Sequence, residues 1–96
     1  MIDKYKINKT AKNDLVRIYE YGFHKYGETQ ADEYYYAFFE RFEQLVKNPY
    51  SYPRVDYICE GYRRSVCGSD CIYYRIVNST IEIMRILGQQ DTNNLN

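Results

Sequence analysis

The fold is decided by residues 61–87, which read GYRRSVCGSDCIYYRIVNSTIEIMRIL. Apolar and polar residues alternate along most of this stretch, as is typical of β-strands. Two groups of turn-forming residues, Gly68-Ser69-Asp70 and Asn78-Ser79, interrupt the alternation. Short connections of this kind join neighbouring antiparallel strands. The stretch therefore predicts an antiparallel meander of three strands, at residues 62–67, 71–77 and 80–87.

The sequence before the meander has helical periodicity. Leu15 and Ile18 recur at the spacing of one helix face and predict a helix near residues 10–26. We expect Thr10 to cap the start of this helix, because its hydroxyl can accept a hydrogen bond from a free backbone N–H. Gly27 fits the end of the helix, since glycine adopts the left-handed conformation at little cost.

A second helix is predicted near residues 29–48. Phe38 and Phe42 lie on one stripe of this helix. Pro49 disfavours helical geometry in the residue before it, so the helix should end at Asn48. The connection between the two predicted helices is short enough for them to form an antiparallel hairpin.

A short strand is predicted at residues 2–8, because Tyr5 and Ile7 alternate with polar residues. The complete order of elements is then β-α-α-β-β-β. This order predicts a two-layer α+β fold, in which a helical hairpin packs on one face of a single antiparallel-rich sheet. Residues 49–61 contain two prolines, three tyrosines and a glycine, and they are predicted to form an ordered surface loop.

Length and charge exclude several classes of protein. A chain of 96 residues makes one domain, residues 1–96. Lys and Arg number 13, equal to Asp and Glu, so the basic excess of a general nucleic-acid-binding protein is missing. No apolar run is long enough to span a membrane, and residues 1–12 lack the apolar segment of a signal peptide. We therefore expect a cytoplasmic protein with no direct nucleic-acid or membrane partner.

The cysteines, Cys59, Cys67 and Cys71, are odd in number and do not form an obvious disulfide framework. Cys67 and Cys71 flank the first turn of the meander, but a structural zinc site needs a second pair of ligands, which the sequence lacks. We therefore expect no metal and no cofactor. The 13 tyrosines are unusual, and tyrosine is frequent both at the edges of small cores and at protein interfaces.

Both faces of the predicted sheet are apolar, although two helices can cover only one of them. An antiparallel sheet with one face in water normally alternates more cleanly. We assign to the helix side Ile72, Tyr74, Ile76, Ile81 and Ile83. The open side then carries Tyr73, Val77, Met84 and Ile86. Burying the last three of these would contribute about 4–9 kcal/mol, so the open face is a candidate binding surface.

Two questions about this face stay open. The tail, residues 89–96, could fold over it and leave no binding surface. Arg85 falls on the helix side in this assignment, where an unpaired charge is costly. Either Arg85 lies at the end of the sheet, or a β-bulge shifts the register of the last strand.

Four arginines lie on the three predicted C-terminal strands: Arg63, Arg64, Arg75 and Arg85. Arginine pairs well with carboxylates and is common among the residues that dominate protein interfaces. They are therefore candidates for binding a partner. The alternative is internal pairing with neighbouring carboxylates, of which the chain offers Glu60, Asp70, Glu82 and Asp91.

A set of short motifs runs through most of the chain. They are Lys47-Asn48-Pro49, Glu60-Gly61-Tyr62-Arg63, Gly68-Ser69, Ile72-Tyr73-Tyr74-Arg75 and Ile83-Met84-Arg85-Ile86-Leu87. Together with the order of elements, over about residues 5–91, they resemble ParE toxins of the RelE/ParE superfamily. The chain departs from the usual ParE pattern after Leu87, where it has Gly88-Gln89-Gln90-Asp91 instead of a histidine and a basic residue.

The resemblance implies the toxin of a bacterial type II toxin–antitoxin pair. Such a toxin binds and inhibits DNA gyrase, is not an enzyme, and is neutralised by a ParD-like antitoxin that wraps its surface. The resemblance also implies that the first strand joins the sheet beside the last one. On this interpretation the candidate antitoxin contacts are Tyr73, Val77, Met84 and Ile86. The candidate contacts for the antitoxin or the target are Arg63, Arg64, Arg75 and Arg85.

Two other functions stay open. Relatives of the RelE branch cut mRNA, and they are similar in placing an arginine where this chain has Cys71 and an acid–base residue where it has Gln90. Glutamine cannot transfer protons near neutral pH. The only histidine, His24, is expected to be solvated at the end of the first helix. The third possibility is a protein-interaction module without toxicity.

Overall fold

The computed structural model of the chain describes residues 2–88. Its elements are β1 (Lys4–Ile7), α1 (Lys9–Tyr26), α2 (Glu28–Lys47), β2 (Arg63–Cys67), β3 (Asp70–Val77) and β4 (Thr80–Gly88). The predicted order and every predicted helix and strand are confirmed, with ends that differ by one or two residues. The two helices pack on a four-stranded sheet, so the predicted two-layer α+β architecture is confirmed as well.

The strands are ordered β1-β4-β3-β2 across the sheet. β2 pairs with β3, and β3 with β4, in antiparallel fashion, whereas β1 runs parallel to β4 at the edge. The place of β1 is the one implied by the resemblance. A parallel neighbour needs a long crossover connection. The connection from β1 to β4 contains the helical hairpin, the segment after it, β2 and β3, and the hairpin packs against one face of the sheet.

The start of α1 differs from the prediction. Asn8, not Thr10, is the capping residue, and its side-chain oxygen accepts a hydrogen bond of 2.8 Å from the backbone N–H of Ala11. Thr10 lies inside the first turn because α1 begins at Lys9, and Asn8 alone separates the helix from β1. Gly27 ends α1 as predicted, with a φ of 92°, and it also precedes the first residue of α2. The hairpin link is therefore a single residue.

The core lies between the hairpin and the sheet. Four of the five residues assigned to the helix side, Ile72, Tyr74, Ile81 and Ile83, are fully buried there. The fifth, Ile76, is partly buried against the same cluster. The helices contribute Ala11, Leu15, Ile18, Phe38, Phe42 and Leu45. Their spacing of three and four residues turns one stripe of each helix toward the strands, as the helical periodicity predicts.

A β-bulge in β4 overturns part of the face assignment. Tyr74 lies opposite Ile83, but Tyr73 lies opposite Arg85, so Met84 is an extra residue in β4. One extra residue inverts the alternation of the strand beyond it. Ile86 consequently packs in the core under the helices and is 0% exposed, so its assignment to the open face was wrong. Leu87, the next residue, lies on the opposite face of the sheet.

The segment after α2 covers part of the other face. Val55, Ile58 and Tyr62 pack over Tyr73, and the cluster is completed by Cys71 and Leu87. Tyr73 is 0% exposed, so the prediction that it lies on an open face was wrong. The reason is that residues 49–62 fold back onto the sheet instead of projecting into solvent. The alternative cover, residues 89–96, lies outside the described residues.

Candidate interaction surfaces

The half of the sheet face that this segment leaves uncovered is charged. Lys4 and Lys6 on β1, Arg75 on β3 and Glu82 on β4 all point away from the helices, because their neighbours in sequence pack in the core. Glu82 accepts a hydrogen bond of 2.6 Å from the Nε of Arg75 and lies 3.7 Å from the Nζ of Lys6. Two cations, Lys6 and Arg75, thus lie beside one carboxylate, and Lys4 adds a third positive charge to the same face. The predicted apolar open face is replaced by a mostly basic one.

Two of the four candidate antitoxin contacts remain accessible in the free chain. Val77 is 38% exposed at the end of β3. It lines an open depression of about 470 Å³ together with Lys4 and Lys6. Met84 is half-buried at the bulge, where its sulfur lies 3.6 Å from the Nδ2 of Asn8. Only Val77 therefore offers substantial apolar surface to a partner.

The arginines divide into two groups. Arg85 forms hydrogen bonds to Asp14 on α1, at 2.9 Å from Nε and 3.1 Å from Nη2. These bonds raise the pKa of the Arg85 guanidinium. Arg75 is paired with Glu82, which was one of the predicted internal partners. Arg85 instead uses a carboxylate that the sequence did not single out. Both side chains are therefore engaged within the molecule.

Arg63 and Arg64 are displayed by the edge strand β2. The preceding segment is tied to this strand by two backbone hydrogen bonds, from Val55 to Tyr62 at 2.8 Å and from Arg64 to Pro53 at 3.1 Å. Backbone pairing of this kind gives the segment a defined position along β2. Side chains of the segment are thereby held beside the two guanidinium groups.

These guanidinium groups lie against tyrosines. Arg63 donates a 2.8 Å hydrogen bond to the carbonyl of Tyr52 and sits 5.2 Å from the ring centroid of Tyr50. Arg64 donates to the hydroxyl of Tyr57 at 3.3 Å. Within residues 2–88, neither arginine forms an ion pair with a carboxylate. Arg63 and Arg64 are consecutive residues of β2 and point to opposite faces of the sheet. We call the edge that they form with Tyr50 and Tyr57 the β2 rim.

The β2 rim has the composition of a protein-binding surface. Tyr50 is 67% and Tyr57 is 78% exposed. Tyrosine and arginine are enriched at interfaces because each combines apolar area with hydrogen-bond donors. Sequence reasoning identified the two arginines but not the tyrosines. The signal for them was the three tyrosines in the proline-containing segment that leads into the strand.

The structure describes two of the positions considered for chemistry, Cys71 and His24. Cys71 is 2% exposed, and burial raises the pKa of its thiol, so it stays protonated and out of contact with substrate. Gln90 lies outside the described residues. His24 is exposed near the end of α1. In residues 2–88, no three His, Cys, Asp or Glu side chains converge on a possible metal position. Cys67 and Cys71 belong to clusters on opposite faces of the sheet.

Comparison with known proteins points to one family. The family model described as "ParE toxin of type II toxin-antitoxin system, parDE" matches residues 5–92. Toxin ParE1 of Caulobacter vibrioides is 32% identical over 85 residues, which are 88% of each chain. Toxin ParE1 of Mycobacterium tuberculosis is 28% identical over 91 residues, 94% of this chain and 93% of the relative. Among the described residues, no helix is long and apolar enough to cross a membrane.

Solved structures share the fold. A structure titled "Chromosomal ParDE TA system from P. aeruginosa" superposes with a TM-score of 0.79 at 19% identity, covering 92% of this chain and 96% of the other. The toxin–antitoxin complex RelBE2 from Mycobacterium tuberculosis superposes with a TM-score of 0.65 at 18% identity, covering 93% and 100%. At these identities the likeness concerns the fold alone.

Proposed function

This chain belongs to the ParE toxin family of type II toxin–antitoxin systems, and from this premise we propose that it binds and inhibits DNA gyrase and is neutralised by a ParD-like antitoxin. It would act in the bacterial cytoplasm, as one domain over residues 1–96, and it would act by binding rather than by catalysis. Family membership supports the target, and the observation that carries the mechanism is the burial of Cys71. A buried, protonated thiol stands where an RNA-cleaving relative needs an accessible cation.

The β2 rim is the surface that we propose for the target. Its two guanidinium groups have no carboxylate partner in residues 2–88, so they are available for acidic groups of another protein. Its tyrosines provide apolar area that is already fixed in position by the segment after α2. A preorganised surface loses little entropy on binding.

The antitoxin is proposed to cover the basic half of the sheet face around Val77. Lys4, Lys6 and Arg75 outnumber Glu82 there, so the covering segment should carry acidic residues next to apolar ones. Antitoxin segments that fold on binding can follow an extended surface of this kind. Neutralisation would then be steric, if the bound segment also reaches the β2 rim.

A supercoiling assay with purified gyrase tests the target. The wild-type protein should inhibit gyrase, and Arg64→Gln should weaken inhibition at least tenfold because it removes a charge from the proposed contact. Lys4→Gln is the matched control, since it removes one charge from the opposite edge of the sheet and should leave inhibition unchanged. Failure of the wild-type protein to inhibit gyrase would refute the proposal.

Incubation with RNA, on and off ribosomes, tests the absence of catalysis. Purified protein should leave transcripts intact. Regulated expression in a bacterial host should arrest growth with filamentation and a DNA-damage response. Cleavage of transcripts at defined codon positions, lost on substitution of a nearby residue, would instead identify a nuclease. Expression without any phenotype would favour an interaction module without toxicity.

A further inference from the structure

The segment that leads into β2 contains a closed loop, which we call the β2 loop. It begins at Arg54 and ends at Arg63, and these two residues form an antiparallel bridge at its base. Inside the loop, the backbone N–H groups of Ile58 and Cys59 both donate to the carbonyl of Val55, at 2.8 and 2.9 Å. The first half of the loop is therefore a single turn with its own hydrogen bonds.

Asp56 joins the two halves of the β2 loop. Its carboxylate accepts hydrogen bonds from Nε and Nη2 of Arg54, at 2.8 and 3.1 Å, and from the backbone N–H of Gly61, at 2.7 Å. The bonds from Arg54 and Gly61 lower the pKa of the Asp56 carboxyl. Hydrogen bonds to a charged acceptor are roughly twice as strong as those between neutral groups. Gly61 has a φ of 83°, so the turn that Asp56 holds has a conformation that other residues rarely adopt.

The residue next to Asp56 is the most exposed part of the β2 rim. Tyr57 is 78% exposed, and its hydroxyl accepts a hydrogen bond of 3.3 Å from Nη2 of Arg64. On the other side of Asp56, Val55 is buried and packs over Tyr73. Arg64 is the cross-strand neighbour of Tyr73, so its side chain emerges on the face that the loop covers. Asp56 thus lies between a buried anchor and an exposed ring that contacts Arg64.

We propose that Asp56 is a positioning residue for the β2 rim: it fixes the backbone of the β2 loop so that the ring of Tyr57 stays beside Arg64. The inference rests on the proposed function in one respect, the use of the rim to bind gyrase. A ring that is already in place loses less freedom on binding than a ring on a loose loop. Replacing Asp56 should therefore weaken target binding by acting through Tyr57.

The fold should tolerate the loss of Asp56. Its side chain is 42% exposed and that of Arg54 is 59% exposed, and exposed ion pairs contribute little to stability. The bridge between Arg54 and Arg63 and the burial of Val55 do not involve the carboxylate. The variant Asp56→Ala should accordingly fold, with a thermal midpoint close to that of the wild type.

Nuclear Overhauser contacts and amide exchange in the free protein test the positioning. In the wild type, the Tyr57 ring should contact the Arg64 side chain, and the Gly61 N–H should exchange slowly. Asp56→Ala should abolish the contacts and speed this exchange at least about tenfold. Asp56→Asn should keep part of both, because its amide oxygen can still accept from Gly61. Glu60→Ala, the matched control, removes the same charge from the same loop and should change neither. Contacts that persist in Asp56→Ala would overturn the proposal.

A double-mutant cycle with purified gyrase tests the consequence for binding. Asp56→Ala should weaken inhibition about three- to tenfold, because the loop and its ring must then be ordered on binding. Tyr57→Ala should weaken inhibition more, and the double variant should match Tyr57→Ala, because Asp56 acts through that ring. Additive losses would contradict this role. If the wild type failed to inhibit gyrase while the contacts in the free protein responded as expected, the target assignment would fail and the positioning role would stand.

Discussion

Asp14 on α1 and Arg85 on β4 form the ion pair that fastens the first helix to the last strand. The carboxylate accepts hydrogen bonds from Nε and Nη2 of Arg85 and a third, of 2.9 Å, from the backbone N–H of Ile86. Arg17 completes the arrangement by donating to the carbonyl of Ile86 at 3.0 Å. The Asp14 side chain is 6% exposed and that of Arg85 is 24% exposed, so water competes weakly for these bonds.

Asp14→Asn should therefore destabilise the fold strongly. The substitution removes the negative charge to which the half-buried guanidinium of Arg85 is hydrogen-bonded. Breaking a pair of this kind should lower the free energy of unfolding by about 2–4 kcal/mol. Urea denaturation followed by circular dichroism measures the change.

Arg75→Gln is the comparison for this variant. It also breaks an ion pair, with Glu82, but the Arg75 side chain is 44% exposed. The free energy of unfolding should change by less than about 1 kcal/mol, because solvent screens such a pair. Equal losses of unfolding free energy in Asp14→Asn and Arg75→Gln would mean that burial does not make the Asp14–Arg85 pair more stabilising than the exposed Arg75–Glu82 pair.

Ser79→Gly should stabilise the protein. Asn78 and Ser79 form the turn between β3 and β4 with φ angles of 49° and 64°, in the left-handed region. Asparagine tolerates this conformation, but serine does so at a cost that glycine avoids. We expect a gain of about 0.5–1 kcal/mol after the larger entropy of glycine in the unfolded chain is subtracted. The thermal midpoint of Ser79→Gly should be higher than that of the wild type. Asn78→Gly should raise the midpoint less, or not at all.

Stability should fall at alkaline pH, partly through Tyr74. Burial raises the pKa of Tyr74 to about 12, and its hydroxyl donates to the carbonyl of Pro49 at 2.8 Å. Below pH 10 both folded and unfolded chains keep this proton, so stability is unaffected. Above pH 10 the unfolded chain loses the Tyr74 proton first, so the free energy of unfolding falls as the pH rises. The fall ends when the pH exceeds the pKa of the folded state, and it amounts to about 2–3 kcal/mol for this group.

Tyr74→Phe isolates this contribution. The variant should be less stable than the wild type at neutral pH, because the Pro49 carbonyl loses its donor. Its free energy of unfolding should then decline less between pH 10 and pH 12. Parallel declines in the two proteins would show that other tyrosines account for the alkaline loss.

Local periodicity was sufficient to predict the elements and the core. The spacing of Leu15 and Ile18 predicted the buried side of α1. The alternation of apolar and polar residues predicted that Ile81 and Ile83 face the helices. The same alternation gave the wrong face for Ile86, because Met84 is an extra residue that shifts the register of β4. A bulge of this kind depends on tertiary contacts such as Asp14 with Arg85, which lie 71 residues apart and leave no local signal. A β-bulge was one of the two predicted explanations for the position of Arg85.

The surface was harder to predict than the core. The arginines of β2 were identified as binding candidates, but nothing local indicated that Val55 and Ile58 would cover Tyr73. A loop that folds back onto a sheet is specified by long-range packing, not by periodicity. The prediction of an apolar open face assumed that only the helices could cover the sheet. This assumption was wrong, because the segment after α2 covers part of the other face.

Val77→Asp should weaken binding of the antitoxin without harming the fold. Val77 is the one residue of the predicted apolar set that is substantially exposed, and it lies among Lys4 and Lys6. An antitoxin segment that covers this surface would bury the new carboxylate beside its own acidic residues, which is unfavourable. Affinity measured by calorimetry should fall at least tenfold, or about 1.4 kcal/mol. The thermal midpoint of the free protein should stay nearly constant, since the side chain already contacts solvent.

Val66→Asp is the control for Val77→Asp. Val66 is a 51% exposed valine on β2, at the other side of the segment that covers Tyr73, and the chemical change is the same. Its effect on antitoxin affinity should be small if the antitoxin covers the β1–β4–β3 half of the face. A loss of affinity for Val66→Asp but not for Val77→Asp would move the antitoxin to the β2 side. The antitoxin would then compete directly with gyrase for the β2 rim, because both would need Arg63 and Arg64.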